Sequence, residues 1–426
     1  MKNALKIFVL LGVIVGCSKP AEEPAVAQPQ LKVDILPQTT FQTITGFGGA
    51  NRMWGTASLK PAEAQKAFGV ADNELGLSIF RVRISSNKSE WPIIVDAVKE
   101  ANKRNVKVLA SPWSPPPALK DNKSDVRGRL LPENYKAFKD YINEYIAYMA
   151  SNGAKIDVVS IQNEPDWKPT YESCDWTATD MINFLKAPGQ IVGAKLAAPE
   201  SLNFSQQMTN ALLSDAEAVK KFDIVAGHIY GGGLGKFPLA EQQKKEIWMT
   251  EFLLNLDTGN AGAAKWSTYS EAAKWTETLK MLGTIHDAMS NNWNAYIWWY
   301  LQRFYSFIGD GEEGTVNGEV LKRGYAYSHF SKFVRPGSVR IDTQASGNYY
   351  LKMTAYQNGA QTVVVVINPT SFAVSNVQFN GLTPASATAY TTTETANLAK
   401  KSLRVENKAV ILDFPASSVT TLVLTN

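Results

Sequence analysis

Two glutamates stand at the ends of apolar runs that are typical of buried strands. Glu164 follows the run 158–162 and precedes Pro165, and Glu251 closes the run 246–251. Proline cannot continue a hydrogen-bonded ladder, so the first strand must end before it. Two carboxylates that flank a bond are the usual groups of glycoside hydrolysis. The pair is a candidate catalytic site if the fold unites the two strand ends. The alternative is that each acid is solvated or ion-paired.

The elements that would position these acids follow a regular alternation. Stretches with three-to-four-residue apolar spacing separate most of eight strand-like runs, which lie near 44–49, 78–84, 106–112, 156–162, 194–199, 222–229, 246–251 and 295–301. Eight β-then-α units predict an α/β protein with a (β/α)8 TIM barrel, here a catalytic domain over 44–335. Because active sites of such barrels lie at the carboxyl ends of the strands, Glu164 and Glu251 are expected to converge.

The chain changes character after about residue 335. Short strand-like runs are separated by Asn-Gly, Asn-Pro and other glycine-containing turns, with no clear helical pattern between them. This predicts an antiparallel β-sandwich over 336–426 that associates with the side of the barrel. A strand-like run before the barrel, 31–43, is expected to complete it, so both chain ends contribute.

The first thirty residues have the pattern of an export signal. A basic start and a short apolar run end at Cys17, which resembles a bacterial lipobox. We expect 1–17 to be a lipoprotein signal peptide, Cys17 to carry the lipid and 18–30 to be a flexible tether. The expected location is the bacterial cell envelope, with the lipid as the only membrane attachment. The alternative is an ordinary secretory signal with a chance cysteine.

Composition narrows the partners. The 426 residues carry a net charge of only +4 and no basic cluster interleaved with aromatics, which argues against nucleic acid. The three histidines have no metal-ligand spacing and no phosphate-binding loop is present, so neither a metal nor a cofactor is expected. Cys174 is the only cysteine besides Cys17, so we expect it to be a packed residue and not a thiol nucleophile. The chain is expected to act as a monomer.

Aromatic and polar residues follow several predicted strands. Trp113 is a candidate floor for a sugar ring, and Tyr230 follows the sixth strand. Trp299, Arg303 and Tyr305 lie on and after the eighth strand. For any single aromatic the alternative is a packing role. Their convergence on one barrel mouth favours a carbohydrate ligand.

The ordered set of motifs resembles glycoside hydrolase family 30 along essentially the whole chain past the tether. The segments that carry the likeness are Gly46–Gly49, Ser111–Ser114, Gln162–Asp166, Trp248–Glu251 and Lys332–Gly337. The resemblance implies a barrel with a side β-sandwich and retention of anomeric configuration. It also implies Glu164 as acid/base and Glu251 as nucleophile. Asn163 is expected to hydrogen-bond the sugar 2-hydroxyl or the nucleophile.

Within that family the last strand looks like that of the subfamily 8 glucuronoxylanases. The spacing of Trp299, Arg303 and Tyr305 matches the segment that recognises a (methyl)glucuronic acid branch there. The resemblance implies an endo-acting enzyme that cleaves β-1,4-xylan, with glucuronoxylan as its polysaccharide partner. An arginine fork suits a carboxylate bidentately.

Three departures from the subfamily lie at 252–256, 306–308 and in a longer, more acidic loop at 309–318. Acidic groups near a uronate site would weaken it, and the alternative for Arg303 is an ion pair with that loop. Other activities also stay open, namely β-glucosidase, β-xylosidase, β-1,6-glucanase or a xylanase that does not depend on uronate. A non-catalytic glycan-binding surface lipoprotein is a further alternative, which the presence of both Glu164 and Glu251 disfavours.

Overall fold

The computed structural model describes residues 31–256, 265–346 and 350–425. The predicted signal peptide, Cys17 and the tether lie outside the described residues. Within the described ranges, no helix has both the length and the apolar character needed to cross a membrane.

A closed parallel barrel forms the larger part of the described chain. β1 (Leu31–Thr43) precedes it and belongs to a separate sheet. The barrel strands pair in chain order and the last closes on the first; they are β2 (Gly46–Ala50), β3 (Ile79–Ile84), β4 (Lys107–Pro112), β5 (Val158–Ser160), β6 (Lys195–Ser201), β7 (Ile224–His228), β8 (Glu246–Glu251) and β9 (Ala295–Trp298). All eight overlap the predicted runs, so the predicted barrel is confirmed.

Helices surround the barrel between most of its strands. Eight α-helices lie in the described residues: α1 (Pro61–Phe68), α2 (Pro92–Asn102), α3 (Tyr135–Ser151), α4 (Ala178–Lys186), α5 (Gln206–Ser214), α6 (Pro238–Gln242), α7 (Glu271–Ser290) and α8 (Lys322–Ser331). Local signals define some ends. In α4 the Thr177 hydroxyl accepts from the Asp180 amide, and the Asp180 carboxylate accepts from the Thr177 amide, which is a capping box.

The period-two alternation of each strand separates two apolar layers. In β3, Ile79 belongs to the cluster inside the barrel, whereas Phe80 and Val82 belong to the layer that the helices cover. Arg81 is two residues beyond Ile79 and is fully buried. At Gly48, a Cβ would lie 2.3 Å from the Ile79 carbonyl oxygen, so β2 and β3 can approach this closely only with glycine there. The mouth is thereby lined by residues that continue the interior face.

The second module is a nine-stranded sheet. Besides β1 it contains β10 (Val339–Ser346), β11 (Lys352–Asn358), β12 (Gln361–Asn368), β13 (Val374–Asn380), β14 (Ser386–Thr392), β15 (Ala399–Leu403), β16 (Val410–Phe414) and β17 (Ser418–Thr425). Hydrogen bonds join all nine in the order β15-β14-β17-β12-β11-β10-β1-β13-β16. The end strands β15 and β16 also contact each other, so the sheet nearly closes around its own apolar cluster.

The predicted α/β class, with a barrel and a mainly antiparallel second module, is confirmed, and that module is one nearly closed sheet of nine strands. β1 pairs antiparallel with β10 and parallel with β13, so one pairing in the sheet is parallel. β10, β15 and β17 were not among the predicted strands. β15 escapes pattern recognition because it is a mostly exposed edge strand that carries Lys400 and Lys401.

Buried polar contacts join the sheet to the barrel helices. The two ring nitrogens of His329 on α8 lie 2.8 Å from the hydroxyls of Thr421 and Thr392. On α7, the Trp275 indole donates to the Ser417 carbonyl oxygen at 2.8 Å. Burial lowers the pKa of His329 to about 3, so the ring is neutral and one nitrogen donates while the other accepts.

Candidate active site

A buried arginine, Arg81 on β3, joins residues from three other strand ends at the barrel mouth. The Arg81 Nη1 donates to Glu251 Oε2 at 2.6 Å, and Nη2 donates to Asn163 Oδ1 at 2.6 Å. The same Nη2 lies 3.1 Å from Glu200 Oε1. A planar guanidinium can hold several acceptors in fixed directions, so Arg81 sets the orientation of these side chains.

The backbone at two of these strand ends has left-handed geometry. Glu164 has φ +45° and Glu200 has φ +62°, conformations that cost about 1–3 kcal/mol each for residues other than glycine. The Glu164 amide donates to the Glu200 carbonyl oxygen at 3.0 Å, and the Asn163 amide donates to the Pro112 carbonyl oxygen at 2.8 Å. These bonds hold the chain in a conformation that directs the Glu164 side chain into the mouth.

The two predicted catalytic glutamates lie close together. A carboxylate oxygen of Glu164, one of Glu251 and a ring nitrogen of His228 all lie within 4.8 Å of one another. Each glutamate oxygen has its own partner. Glu164 Oε1 lies 3.0 Å from His228 Nδ1, and Glu164 Oε2 accepts from the Tyr171 hydroxyl at 3.5 Å. Glu251 Oε1 accepts from a tyrosine hydroxyl, and Glu251 Oε2 accepts from Arg81, as given above.

That tyrosine is Tyr230, whose hydroxyl lies 3.1 Å from Glu251 Oε1. Burial, followed by the charges of Glu251 and Glu164, raises the pKa of Tyr230 well above its ordinary value. The phenol therefore stays protonated and acts as a hydrogen-bond donor to Glu251.

Burial and neighbouring charges strongly shift the pKa values of the ionisable groups at the site. Burial opposes the charge on His228, but Glu251, Glu164 and Glu200 outweigh it and raise the pKa of His228 to about 9. Burial likewise opposes the charge on Glu200, but Arg81 and His228 lower the pKa of that carboxyl to about 2. Burial raises the pKa of Glu251, a rise that His228 and Arg81 oppose. At neutral pH the site thus contains an arginine cation, an imidazolium and an ionised Glu200.

The stability of the protein should depend on the charge of His228. The pKa of His228 lies near 9 in the folded protein and near 6.5 ordinarily. The stabilisation that the protonated His228 gives to the folded state is therefore complete below pH 6.5 and is lost as pH rises through 9. We expect the free energy of unfolding to fall by on the order of 2 kcal/mol over that window. Urea unfolding at a series of pH values would measure it. His228→Gln should flatten the curve, and an equally steep fall in that variant would contradict the assignment.

Tryptophan rings form one wall of the mouth. Trp113 is only 2% exposed, and its ring lies 5.6 Å from that of Trp54 and 6.1 Å from that of Trp299. The Cζ atom of Arg81 lies 4.9 Å from the centre of the Trp113 ring. Trp54 is 39% exposed, so it presents more aromatic surface to solvent than Trp113. The predicted sugar-binding floor is therefore a layer of tryptophan rings, in which the buried Trp113 supports the rings of Trp54 and Trp299.

Arg303 lies beyond β9 in a different setting. Its Nη1 lies 3.0 Å from Asp310 Oδ2 and 2.8 Å from Glu312 Oε2. The ion pairs considered as the alternative for Arg303 are thus present. Tyr305 is nearby and buried, and burial raises its pKa while Arg303 opposes that rise.

The structure brings six of the eight predicted substrate-site and catalytic residues into one mouth: Trp113, Asn163, Glu164, Tyr230, Glu251 and Trp299. Arg303 and Tyr305 lie on the adjoining segment, where their direct contacts are with other residues than the two glutamates. Cys174 is buried, and burial raises the pKa of its thiol to about 12, which is unsuited to a nucleophile.

Several residues of the site were not among those predicted, namely Trp54, Tyr171, Glu200 and His228. Glu200 follows the predicted run 194–199 and His228 lies near the end of the predicted run 222–229, so their strand-end positions were a usable signal. Trp54 and Tyr171 lie in loops, where no periodicity marks the direction of a side chain.

The trio Glu164, His228 and Glu251 also has the spacing of a cation site. A metal ligand must be a neutral imidazole, whereas the surrounding carboxylates favour imidazolium. Arg81 already supplies a positive charge to Glu251. The donor set fits proton transfer and nucleophilic attack by carboxylates better than it fits a metal ion. The absence of a metal remains a prediction.

A parallel barrel with two adjacent carboxylates at a tryptophan-lined mouth defines the class of TIM-barrel glycoside hydrolases. The model of the glycosyl hydrolase family 30 TIM-barrel domain matches residues 62–303. The protein belongs to this family, and the resemblance stated from the sequence is confirmed.

The similarity to known proteins extends over nearly the full length of the chain. The glucuronoxylanase XynC of Bacillus subtilis strain 168 is 32% identical over 99% of this chain and 97% of its own. A family 30 subfamily 8 xylanase structure from Clostridium acetobutylicum is 30% identical, with a TM-score of 0.81 over 93% of this chain and 100% of that one. A family 30 endoxylanase from Clostridium papyrosolvens C71 is also 30% identical, with a TM-score of 0.78 and the same coverage.

Proposed function

We propose that the protein is a retaining endo-β-1,4-xylanase that acts on glucuronoxylan. The observation that carries the reaction type is the approach of Glu164 and Glu251, whose oxygens come within 4.8 Å. Retaining glycosidases have carboxyl groups roughly 5–5.5 Å apart, whereas inverting enzymes need roughly 6.5–9.5 Å to admit a water molecule. The names of the similar xylanases support the substrate class.

In the first step, Glu251 attacks the anomeric carbon and forms a glycosyl–enzyme bond while the bond to the leaving oxygen breaks. Glu164 donates its proton to that oxygen. Arg81 and the Tyr230 hydroxyl contact the two oxygens of Glu251, so they orient the nucleophile and delocalise its charge. In the second step, water attacks the anomeric carbon, Glu164 takes its proton, and Glu251 leaves as a carboxylate.

Asn163 has a defined orientation in this mechanism. Its Oδ1 accepts from Arg81, which leaves the amide NH2 group as the donor toward substrate. We infer that this group donates to the 2-hydroxyl of the sugar bound beside Glu251. Such a bond strengthens as charge develops on the ring in the transition state.

Recognition of the uronic acid branch is proposed for Arg303, supported by Trp299 and Tyr305 on the same segment. Arg303→Ala should lower kcat/KM on glucuronoxylan roughly 10-fold, because hydrogen bonds to charged groups contribute about 1.5–3 kcal/mol. The rate on linear xylan should not change. Steady-state kinetics on both polymers measure the loss, and mass spectrometry of the products reports endo cleavage and branch position.

The ion pairs of Arg303 favour one second candidate, a xylanase that does not depend on the branch. Equal, small effects of Arg303→Ala on both polymers would support that candidate and discard branch recognition. Release of monosaccharide alone would indicate an exo-acting family member such as a β-xylosidase or β-glucosidase. No turnover on any glycan would leave only a binding role.

We also propose that Cys17 carries a lipid that anchors the enzyme to the bacterial envelope. The basic start, the short apolar run and the following Pro-, Ala- and Glu-rich stretch support this proposal. Growth with labelled palmitate should label the protein, and Cys17→Ala should abolish the label. Unchanged labelling in that variant would refute the anchor.

A further inference from the structure

The acidic loop 309–318 pairs with only part of the Arg303 guanidinium. Both Asp310 and Glu312 contact the same nitrogen, Nη1. Within the described part of the chain, Nε and Nη2 have no hydrogen-bond or ion-pair partner, and the guanidinium lies 5.0 Å from the centre of the Phe304 ring. One edge of the fork, Nε with Nη2, is therefore left for a further acceptor. That edge has the geometry that binds a carboxylate bidentately.

The two loop acids differ in their surroundings. The Asp310 side chain is 5% exposed and the Glu312 side chain is 49% exposed. Asp310 also has a second role, because its Oδ1 accepts from the Glu312 amide at 3.1 Å and so shapes the turn. Asp310 is thus built into the loop, whereas the Glu312 carboxylate reaches Arg303 from solvent.

The charges at this point do not cancel. One guanidinium cation meets two carboxylates, so the cluster of these three side chains carries a net negative charge. Asp310 alone is sufficient to neutralise Arg303 and to orient it. The Glu312 carboxylate adds a repulsive charge where an acidic branch would have to bind.

We infer that Glu312 is a specificity-determining residue that weakens the binding of uronic acid branches at Arg303. The inference deepens the proposed function and rests on it. Asp310 positions the guanidinium, and Glu312 sets how strongly an acidic substituent is preferred over an undecorated chain. The enzyme therefore accepts both decorated and linear segments of xylan, with a preference smaller than the arginine fork alone would produce.

The test compares wild type, Glu312→Gln, Arg303→Ala and the double variant on glucuronoxylan and on linear xylan. Glutamine keeps the length of the side chain and removes its charge. Glu312→Gln should raise kcat/KM on glucuronoxylan about threefold to fivefold, mainly through a lower KM, as expected for one partly exposed charge. The gain should disappear in the Arg303→Ala background and should shrink at high salt, where exposed charges are screened. Kinetics on linear xylan should not change.

Glu313 is a matched control, since it is the next acid in the same loop but its carboxylate accepts from the Ser267 hydroxyl at 2.8 Å. Glu313→Gln should have a smaller effect than Glu312→Gln on glucuronoxylan. The inference is overturned if Glu312→Gln alters both polymers equally, alters neither, or keeps its gain without Arg303. A wild-type protein that cleaves neither polymer would instead overturn the proposed function. The two failures are therefore distinguishable.

Discussion

Replacing Glu251 by alanine is expected to reduce xylan hydrolysis by on the order of 10⁴-fold or more, since the covalent intermediate cannot form without the carboxylate. Arg81 and Tyr230 would lose the group that they orient, and neither can replace it as a nucleophile. Steady-state kinetics on xylan measure the loss. Near-normal turnover in this variant would refute the assignment of the nucleophile.

The same strand offers a matched control for that loss. Glu246 lies at the opposite end of β8, where its carboxylate accepts from the Thr45 hydroxyl at 2.6 Å and from the Trp248 indole at 2.8 Å. Glu246→Gln removes an acid from the same strand without touching the mouth, so activity should stay within a few-fold of wild type. Thermal unfolding of both variants separates lost chemistry from lost folding.

Replacing Glu164 by alanine is expected to lower the rate on xylan by about 10²–10⁴-fold, because the leaving sugar oxygen then departs without a proton. The loss should depend on the substrate. Aryl xylosides with a good leaving group need little protonation, so their glycosyl–enzyme should form and then accumulate. This distinguishes an acid/base residue from a nucleophile.

Azide provides the second readout for the Glu164→Ala variant. It needs no general base, so it should attack the accumulated glycosyl–enzyme and release a glycosyl azide with the anomeric configuration of the substrate. Rate measurements with added azide and analysis of the product configuration test this expectation. A variant with neither azide rescue nor dependence on the leaving group would contradict the role of Glu164.

Both predictions depend on the charged side chains that surround Glu164 and Glu251. Arg81 contacts Glu251 and Glu200 directly, whereas His228 contacts Glu164 and lies 3.8 Å from Glu200. Glu200 thus balances both cations without being one of the reacting groups. We regard Glu200 as a positioning residue, because it acts through Arg81 and His228.

Much of the fold was predictable because barrel strands carry strong local signals. The runs that lead to Glu164 and Glu251 are short and mostly apolar, and Pro165 prevents the first from continuing. All eight predicted barrel strands overlap the observed ones. The sheet was harder, since the edge strand β15 has no apolar alternation and β10 and β17 were also not predicted. The contribution of the run 31–43, which forms β1, was predicted, and β1 pairs with β10 and β13.

From the sequence alone we could predict the barrel, the strand-end positions of Glu164 and Glu251, and the family. These features depend on residue types and on their spacing along the chain, and both are visible in the sequence. The tertiary structure was needed to show that Arg81 links Glu251, Asn163 and Glu200, and that His228 faces Glu164. It was also needed to show that Arg303 is already paired with Asp310 and Glu312. Those contacts join side chains from different strands and loops, and their directions are set by packing and by left-handed backbone at the strand ends.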